Sequence, residues 1–298
     1  VTTIITPSAA GDISGSRGLL RGLVHVDFIL GAALVCFWTF CALAPGLVVS
    51  GDPTTIYPNG LNELGEPLPP GTPGFPLGTD PIGRDYLTRL VYGSQVALTM
   101  AVVPNLLALI LALLIGVTAG VLRGPVEYVL MRTTEAIMVL PGFLIAMAVI
   151  ATLGSSTAVL VLTIVAFSWT YAARVIYGET LRLRELLYVD AARASGAGNL
   201  RIALLHIIPH LRPLLVVYFT MNASFMVLLE AGLGFLGFGV QPPTPSWGLM
   251  LAEARDQFFY PWLIVLPGVC LASLCIGFYL VGQRLQALGQ PPTKRVQL

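Results

Sequence analysis

Six stretches of this chain are apolar over a length that a bilayer accommodates: residues 26–49, 94–122, 136–153, 158–177, 213–235 and 263–283. A helix rises about 1.5 Å per residue, so roughly 20 apolar residues cross a hydrocarbon layer about 30 Å thick. No water is available there, and every backbone N–H and C=O must pair within its own segment, which selects the α-helix. The composition agrees, because only 10% of the 298 residues are charged and 56% are hydrophobic. An ordinary soluble domain carries about 25% charged residues, enough to cover a surface facing water. The sequence therefore predicts an all-α integral membrane protein with six transmembrane helices.

The first run follows Arg17 and Arg21, and Ala42, Leu43 and Ala44 resemble a signal cleavage site. It exceeds the ~7–15 residues of a signal core, however, and Pro45 fits cleavage poorly, so it reads as a retained span. Basic residues set the orientation. With a cytoplasmic N-terminus, thirteen Arg and Lys residues lie inside and three, Arg84, Arg89 and Arg255, lie outside. The predicted plan is a cytoplasmic tail (1–25), the first span (26–49), an extracytoplasmic Pro/Gly-rich loop (50–93), a five-helix core (94–283) and a cytoplasmic tail (284–298). The core includes a cytoplasmic loop at 178–212 and an outer loop at 236–262. Residues 51–78 hold seven prolines and six glycines, a composition that forms neither helix nor sheet and reads as extended, irregular chain. The outer loop carries QPPTPSWG at 241–248, followed by a short helix over 249–258.

Several chemistries are excluded. The net charge of +1 offers no footprint for nucleic acid. GLGFLG at 232–237 matches a dinucleotide pattern, yet it ends an apolar helix and is followed by Pro242, Pro243 and Pro245, so it reads as closely packed glycines. A phosphate-binding loop needs a lysine after its last glycine, and the single lysine, Lys294, follows Thr293. His206 and His210 are separated by Pro209 with no glutamate after the first, so no metal site is predicted. Cys36, Cys41, Cys270 and Cys275 read as small buried hydrophobes. Glu135, Arg174 and Glu230 all lie near span ends, leaving no ion relay at the bilayer centre.

The stretch DAARASGAGNLRIALLHIIPH, residues 190–210, interrupts two apolar runs with small, polar and basic residues. Ala191 and Ala192 admit another backbone closely, and Gly196 permits a turn that a side chain would strain. Asn199 starts a second short helix, which Pro209 kinks or ends. A helix–turn–helix knob between two spans is one reading, and a solvated connector is the other.

These residues resemble the EAA loop of ABC-importer permeases, E-A-A, three residues, G, nine residues, I-x-L-P. Asp190, Ala191, Ala192, Gly196 and Pro209 match by position, while His206 and Ile208 replace the usual Ile and Leu, and Asp190 keeps the charge of Glu with a shorter reach. GTDPIGRD at 78–85, YGSQVAL at 92–98 and GFLGFGVQPPTPSWG at 234–248 are similar to the C-type permease of the dipeptide, oligopeptide and nickel importers. The resemblance covers residues 76–290 together with the first span and its outer loop. It implies a type I ABC importer permease fold in the bacterial inner membrane, with both termini cytoplasmic. It also implies a homologous B-type permease, two ATPases or one fused ATPase that bind ATP and Mg, and an extracytoplasmic binding protein. The chain itself would hold no cofactor and perform no covalent chemistry. Asp190, Ala191, Ala192, Arg193, Gly196, Ala197 and Pro209 would form the coupling element that an ATPase moves as a rigid body.

A pathway is sought on the fifth span, where Tyr218, Asn222, Met226 and Glu230 recur every four residues as a polar, flexible stripe that helix packing explains equally well. On the third span Pro141 is expected to kink the helix, with Met138 and Phe143 serving as a gate or as ordinary packing. Outside, Trp247, Arg255 and Asp256 are candidates for docking the binding protein, with packing inside the loop as the alternative. Two rivals remain. A secondary transporter would need an embedded ionisable relay or inverted repeats, and a membrane enzyme would need clustered catalytic groups.

Overall fold

The computed structural model describes residues 25–289. Along the chain, α1 (Val26–Leu43) and the single turn α2 (Pro45–Val48) precede a long linker. There follow α3 (Tyr86–Leu122), α4 (Gly124–Val139), α5 (Gly142–Leu153), α6 (Thr157–Arg184) and α7 (Leu187–Ala194). The remainder is α8 (Asn199–Ile202), a π turn (Ala203–Ile207), α9 (Ile208–Phe235), α10 (Trp247–Glu253) and α11 (Trp262–Gly289). Five helical spans among the described residues are long and apolar enough to cross a bilayer, and α4 with α5 make a sixth that is bent by 80°. Five of the six expected apolar runs thus lie in single long helices, and the run at 136–153 lies in the bent pair.

The break is chemical in origin. A residue before proline is disfavoured in helical geometry, and Leu140 is extended (φ −71°, ψ 136°) just before Pro141. Pro141 then opens α5, its carbonyl accepting from Leu144 and Ile145 at 2.9 and 3.1 Å. Pro209 behaves otherwise. The sequence suggests that it kinks or ends a short helix, whereas α8, the π turn and α9 run on as one 37-residue span. The wider turn before Pro209 accommodates a residue with no N–H to donate.

Small residues let the central helices approach. A Cβ on Gly116 would stand 2.7 Å from the Ala173 carbonyl oxygen, and one on Gly120 would stand 2.5 Å from Thr180 Cγ2. With Ala112 buried in the cluster that α3 and α6 share, the two helices pack backbone against backbone, as small-xxx-small helices do in a bilayer, where packing replaces the hydrophobic effect. At the other side α1 leans on α11, and α9 lies between α3 and α11.

The linker differs from the extended chain expected of it. It has no helix or strand, yet it is folded through glycine turns and isolated bridges, Ile56 with Arg84, Leu61 with Pro67 and Thr79 with Asp85. Thr79 is buried and staples three strands of chain, donating to Gly60 O at 2.6 Å and accepting from Leu68 N at 2.8 Å. Glu66 accepts from Asn62 at 2.8 Å, and this donor and Tyr260 hold its carboxyl below the usual range. The linker also buries the start of α3, which begins at Tyr86, eight residues ahead of the apolar run, with Asp85 as its cap. The short helix of the later loop runs from Trp247 to Glu253 instead of over 249–258, because the Ser246 hydroxyl caps it by accepting from Leu249 at 3.1 Å. Of the cysteines, Cys41 and Cys270 are buried as expected, while Cys36 is exposed.

Candidate functional site

The helix–turn–helix knob is formed by α7, the turn after it and α8. Its α7 ends in a Schellman arrangement: the Gly196 N–H donates to Arg193 O at 2.9 Å and the Ala197 N–H to Ala192 O at 3.0 Å. Such a turn requires a left-handed residue, and Gly196 has φ +84°. This is the position at which the sequence calls for glycine.

The two faces of α7 differ. Val189 points inward and is fully buried with Leu183, Ile202, Ile207 and Leu211, in a cluster that also holds Ile176 of α6 and Val117 of α3. Leu187, Asp190, Ala191 and Ala194, spaced as one helical face, are exposed. Arg193 is 3.7 Å from Asp190 on the knob itself. Tyr188 stacks on His210 with ring centroids 5.1 Å apart, and His210 Nδ1 lies 2.6 Å from His206 O. Arg184 donates to the last carbonyls of α3, Gly120 and Val121, at 3.1 and 3.2 Å. The knob thus has a buried apolar base joined to three spans and an exposed face on which two alanines lie beside Leu187 and Asp190.

The predicted pathway residues divide. Met138 and Phe143 meet in a cavity of about 320 Å³ at the Pro141 break, walled also by Phe167, Tyr171 and Phe225. The α9 stripe does not open into it. Met226 is fully buried, and Glu230 is 1% exposed. Asn222 donates to Asn105 Oδ1 at 2.8 Å, and Asn105 donates in turn to Phe219 O at 2.8 Å. Tyr218 is half-buried against the cluster beneath the knob. Packing within the chain, the alternative reading of the stripe, accounts for the four-residue period, and none of the four residues lines the cavity. The GLGFLG glycines end α9 and pack closely, as read: Gly237 has φ +85°, and a Cβ on Gly234 would lie 3.1 Å from Gly248.

At the linker end the docking candidates also divide. Trp247 is 1% exposed and donates to Leu90 O at 2.9 Å, with its ring edge-on to Trp38. It is a packing residue, and the expectation of an exposed aromatic there is corrected. Arg255 and Asp256 are exposed, and the exposed aromatic side chains beside them are Phe258 and Phe259.

The sequence reading passed over a buried ion network in the same region. Asp80 Oδ2 accepts from Arg84 Nε at 2.5 Å and Arg89 Nη1 at 2.6 Å; Glu253 accepts from Arg84 at 3.1 Å and Arg89 at 2.6 Å. Asp80 also accepts from the backbone of Ile82 and Arg84. Two guanidinium groups balance two carboxylates, which is what allows Arg89 to be buried completely. The network ties the linker and α3 to α10. GTDPIGRD carries half of it, but the partner Glu253 lies 164 residues from Arg89 and gives no local signal.

Comparison with known proteins matches residues 112–289 to the family described as binding-protein-dependent transport system inner membrane component. The chain is 34% identical over 280 residues to the di/tripeptide transport system permease protein of Pseudomonas aeruginosa, covering 94% of this chain and 89% of that one. It is 33% identical to the dipeptide transport system permease protein of Haemophilus influenzae, covering 94% and 92%. It is 34% identical over 219 residues to the glutathione transport system permease protein of Pectobacterium atrosepticum, covering 73% of each. The chain therefore belongs to the family of inner-membrane permease components of binding-protein-dependent transport systems, and its helices form the type I permease fold of ABC importers.

Proposed function

We propose that this chain is the C-type permease subunit of an ATP-driven importer of peptides. It would pair with a homologous B-type permease above two ATPases, or one fused ATPase, that bind ATP and Mg, and receive solute from an extracytoplasmic binding protein. Members of its family are multi-pass membrane permeases of ABC importers, which implies ATPase and substrate-binding partners. The named functions of its relatives, di- and tripeptide, dipeptide and glutathione transport, favour peptides over nickel or another small solute.

The observation that carries the coupling role is the two-faced knob. A displacement of the exposed face at Leu187, Asp190 and Ala191 is passed by the buried base at Val189, Ile202 and Ile207 to α3, α6 and α9 without deforming the knob. On this reading Arg255, Asp256, Phe258 and Phe259 form the surface that meets the binding protein, and the cavity at Pro141 lies on the pathway. The test is mass spectrometry of what co-purifies with the tagged chain from its native membrane, beside an Asp190→Arg, Ala191→Trp variant. Both substituted residues are exposed, so the fold is retained. A second permease and ATPases with the wild type, and loss of the ATPases alone with the variant, are expected. ATPases retained by the variant would remove the coupling role from this face.

A further inference from the structure

The groove between α4 and α6 contains two chambers in series. The upper is the aromatic cavity at Pro141, where the buried Ser168 hydroxyl has no partner. The lower, also about 320 Å³, is lined by Glu127, Met131, Arg132, Glu135, Arg174 and Tyr177. Glu135 and Met138 are three residues apart on α4, and Arg174 and Tyr171 are three apart on α6. The two chambers are therefore about one helical turn, roughly 5 Å, apart along both walls.

The lower chamber has charges of both signs on facing helices. Glu135 Oε2 accepts from Arg132 at 2.9 Å, and Glu135 Oε1 stands 3.7 Å from Arg174 Nη1 across the groove. Glu127 accepts from the Tyr177 hydroxyl and is 3.8 Å from Arg123. The cross-groove pair is loose: the side chains are 39% and 51% exposed, and such exposed pairs hold together by only about 0–1 kcal/mol. A solute bearing its own ammonium and carboxylate can exchange partners with this pair at little cost, its ammonium on Glu135 and its carboxylate on Arg174. A solute of a single sign leaves one of the two charges unmatched, and a neutral solute leaves both.

We infer that the lower chamber is a zwitterion station on the pathway, in which Glu135 and Arg174 select solutes with a free ammonium and a free carboxylate. The body of the solute rests against Phe143, Phe167 and Phe225, and Ser168 supplies a hydrogen bond to a peptide group. The inference rests on the importer reading, and it assigns to this chain a selectivity separate from that of the binding protein.

The test uses the full chain with its co-purified subunits in nanodiscs, without nucleotide or binding protein, irradiated with p-benzoylphenylalanyl-alanine. Adducts are expected at Met131 or Met138. Excess alanyl-alanine should suppress them at concentrations where N-acetyl-alanyl-alanine amide does not. Glu135→Gln and Arg174→Gln should each lower the adduct yield roughly fivefold, as expected for one partly exposed charge contact, while Arg182→Gln should label as the wild type does. Size exclusion of each variant checks that the fold and assembly are kept. No adduct in the groove, equal competition by the blocked peptide, or unchanged yield in both variants would overturn the inference. ATP-driven peptide uptake by the wild type is measured separately. Adducts without uptake count against the importer reading alone, and uptake without adducts counts against the zwitterion station alone.

Discussion

Arg89 is completely buried at the head of α3, held by Asp80 and Glu253. Removing one member of a buried ion network leaves its partner charged and unsolvated, which costs on the order of 3–5 kcal/mol. Arg89→Met should lower the thermal midpoint of the purified protein by several degrees, while Arg182→Gln, on an exposed pair, leaves it unchanged. Equal midpoints would mean that water enters the network. Asn222 makes a second residue-scale prediction. Asn222→Leu takes the donor from the buried Asn105 Oδ1 and should cost about 1–3 kcal/mol of stability, read as a fall in denaturation midpoint. A lowered uptake at full stability would instead return Asn222 to the pathway. Single residues were legible in the sequence where their role is local: Gly196 could be read because a turn needs positive φ within four residues of Ala192. Trp247 could not, because Trp38 and Leu90, which bury it, lie far back in the chain.

At the scale of elements, helix ends and breaks follow from local chemistry, and helix contacts follow from side-chain size. Pro141→Ala restores an N–H and frees Leu140 to be helical, so the 80° break between α4 and α5 should open. Spin labels at positions 131 and 148 would report a longer mean distance in the variant. An unchanged distance would show that packing against α6 holds the bend without proline. Gly120→Leu places side-chain atoms where Thr180 already lies, 2.5 Å from the added Cβ, and should force α3 from α6. Overpacking of this kind costs about 1–3 kcal/mol, and here it also disturbs the carbonyls that Arg184 caps. Loss of folded protein on size exclusion checks it. The bend was legible from one proline. The onset of α3 at Tyr86 was not, since Arg89, within its first two turns, is buried only because Asp80 of the preceding segment and the distant Glu253 neutralise it.

For the molecule as a whole, thirteen basic residues against three predict that the knob and the linker lie on opposite sides of the membrane. A membrane-impermeant maleimide should label Thr54→Cys in intact cells and Ser195→Cys only after permeabilisation, with Cys36 replaced by serine to remove the exposed native thiol. The reverse pattern would invert the topology and place the knob away from any cytoplasmic ATPase. Hydrophobic run length and charge flanks are properties of consecutive residues, so the sequence by itself determined the number of spans, their expected orientation and the position of the knob. The tertiary structure decided what each polar residue inside those helices faces. A four-residue stripe such as Tyr218, Asn222, Met226 and Glu230 fits a pathway or a packing seam equally well. The neighbours that distinguish the two, Asn105 on α3 among them, come from helices more than a hundred residues away. For the same reason the α4–α6 groove and the Arg89 network appear only once distant segments are brought together.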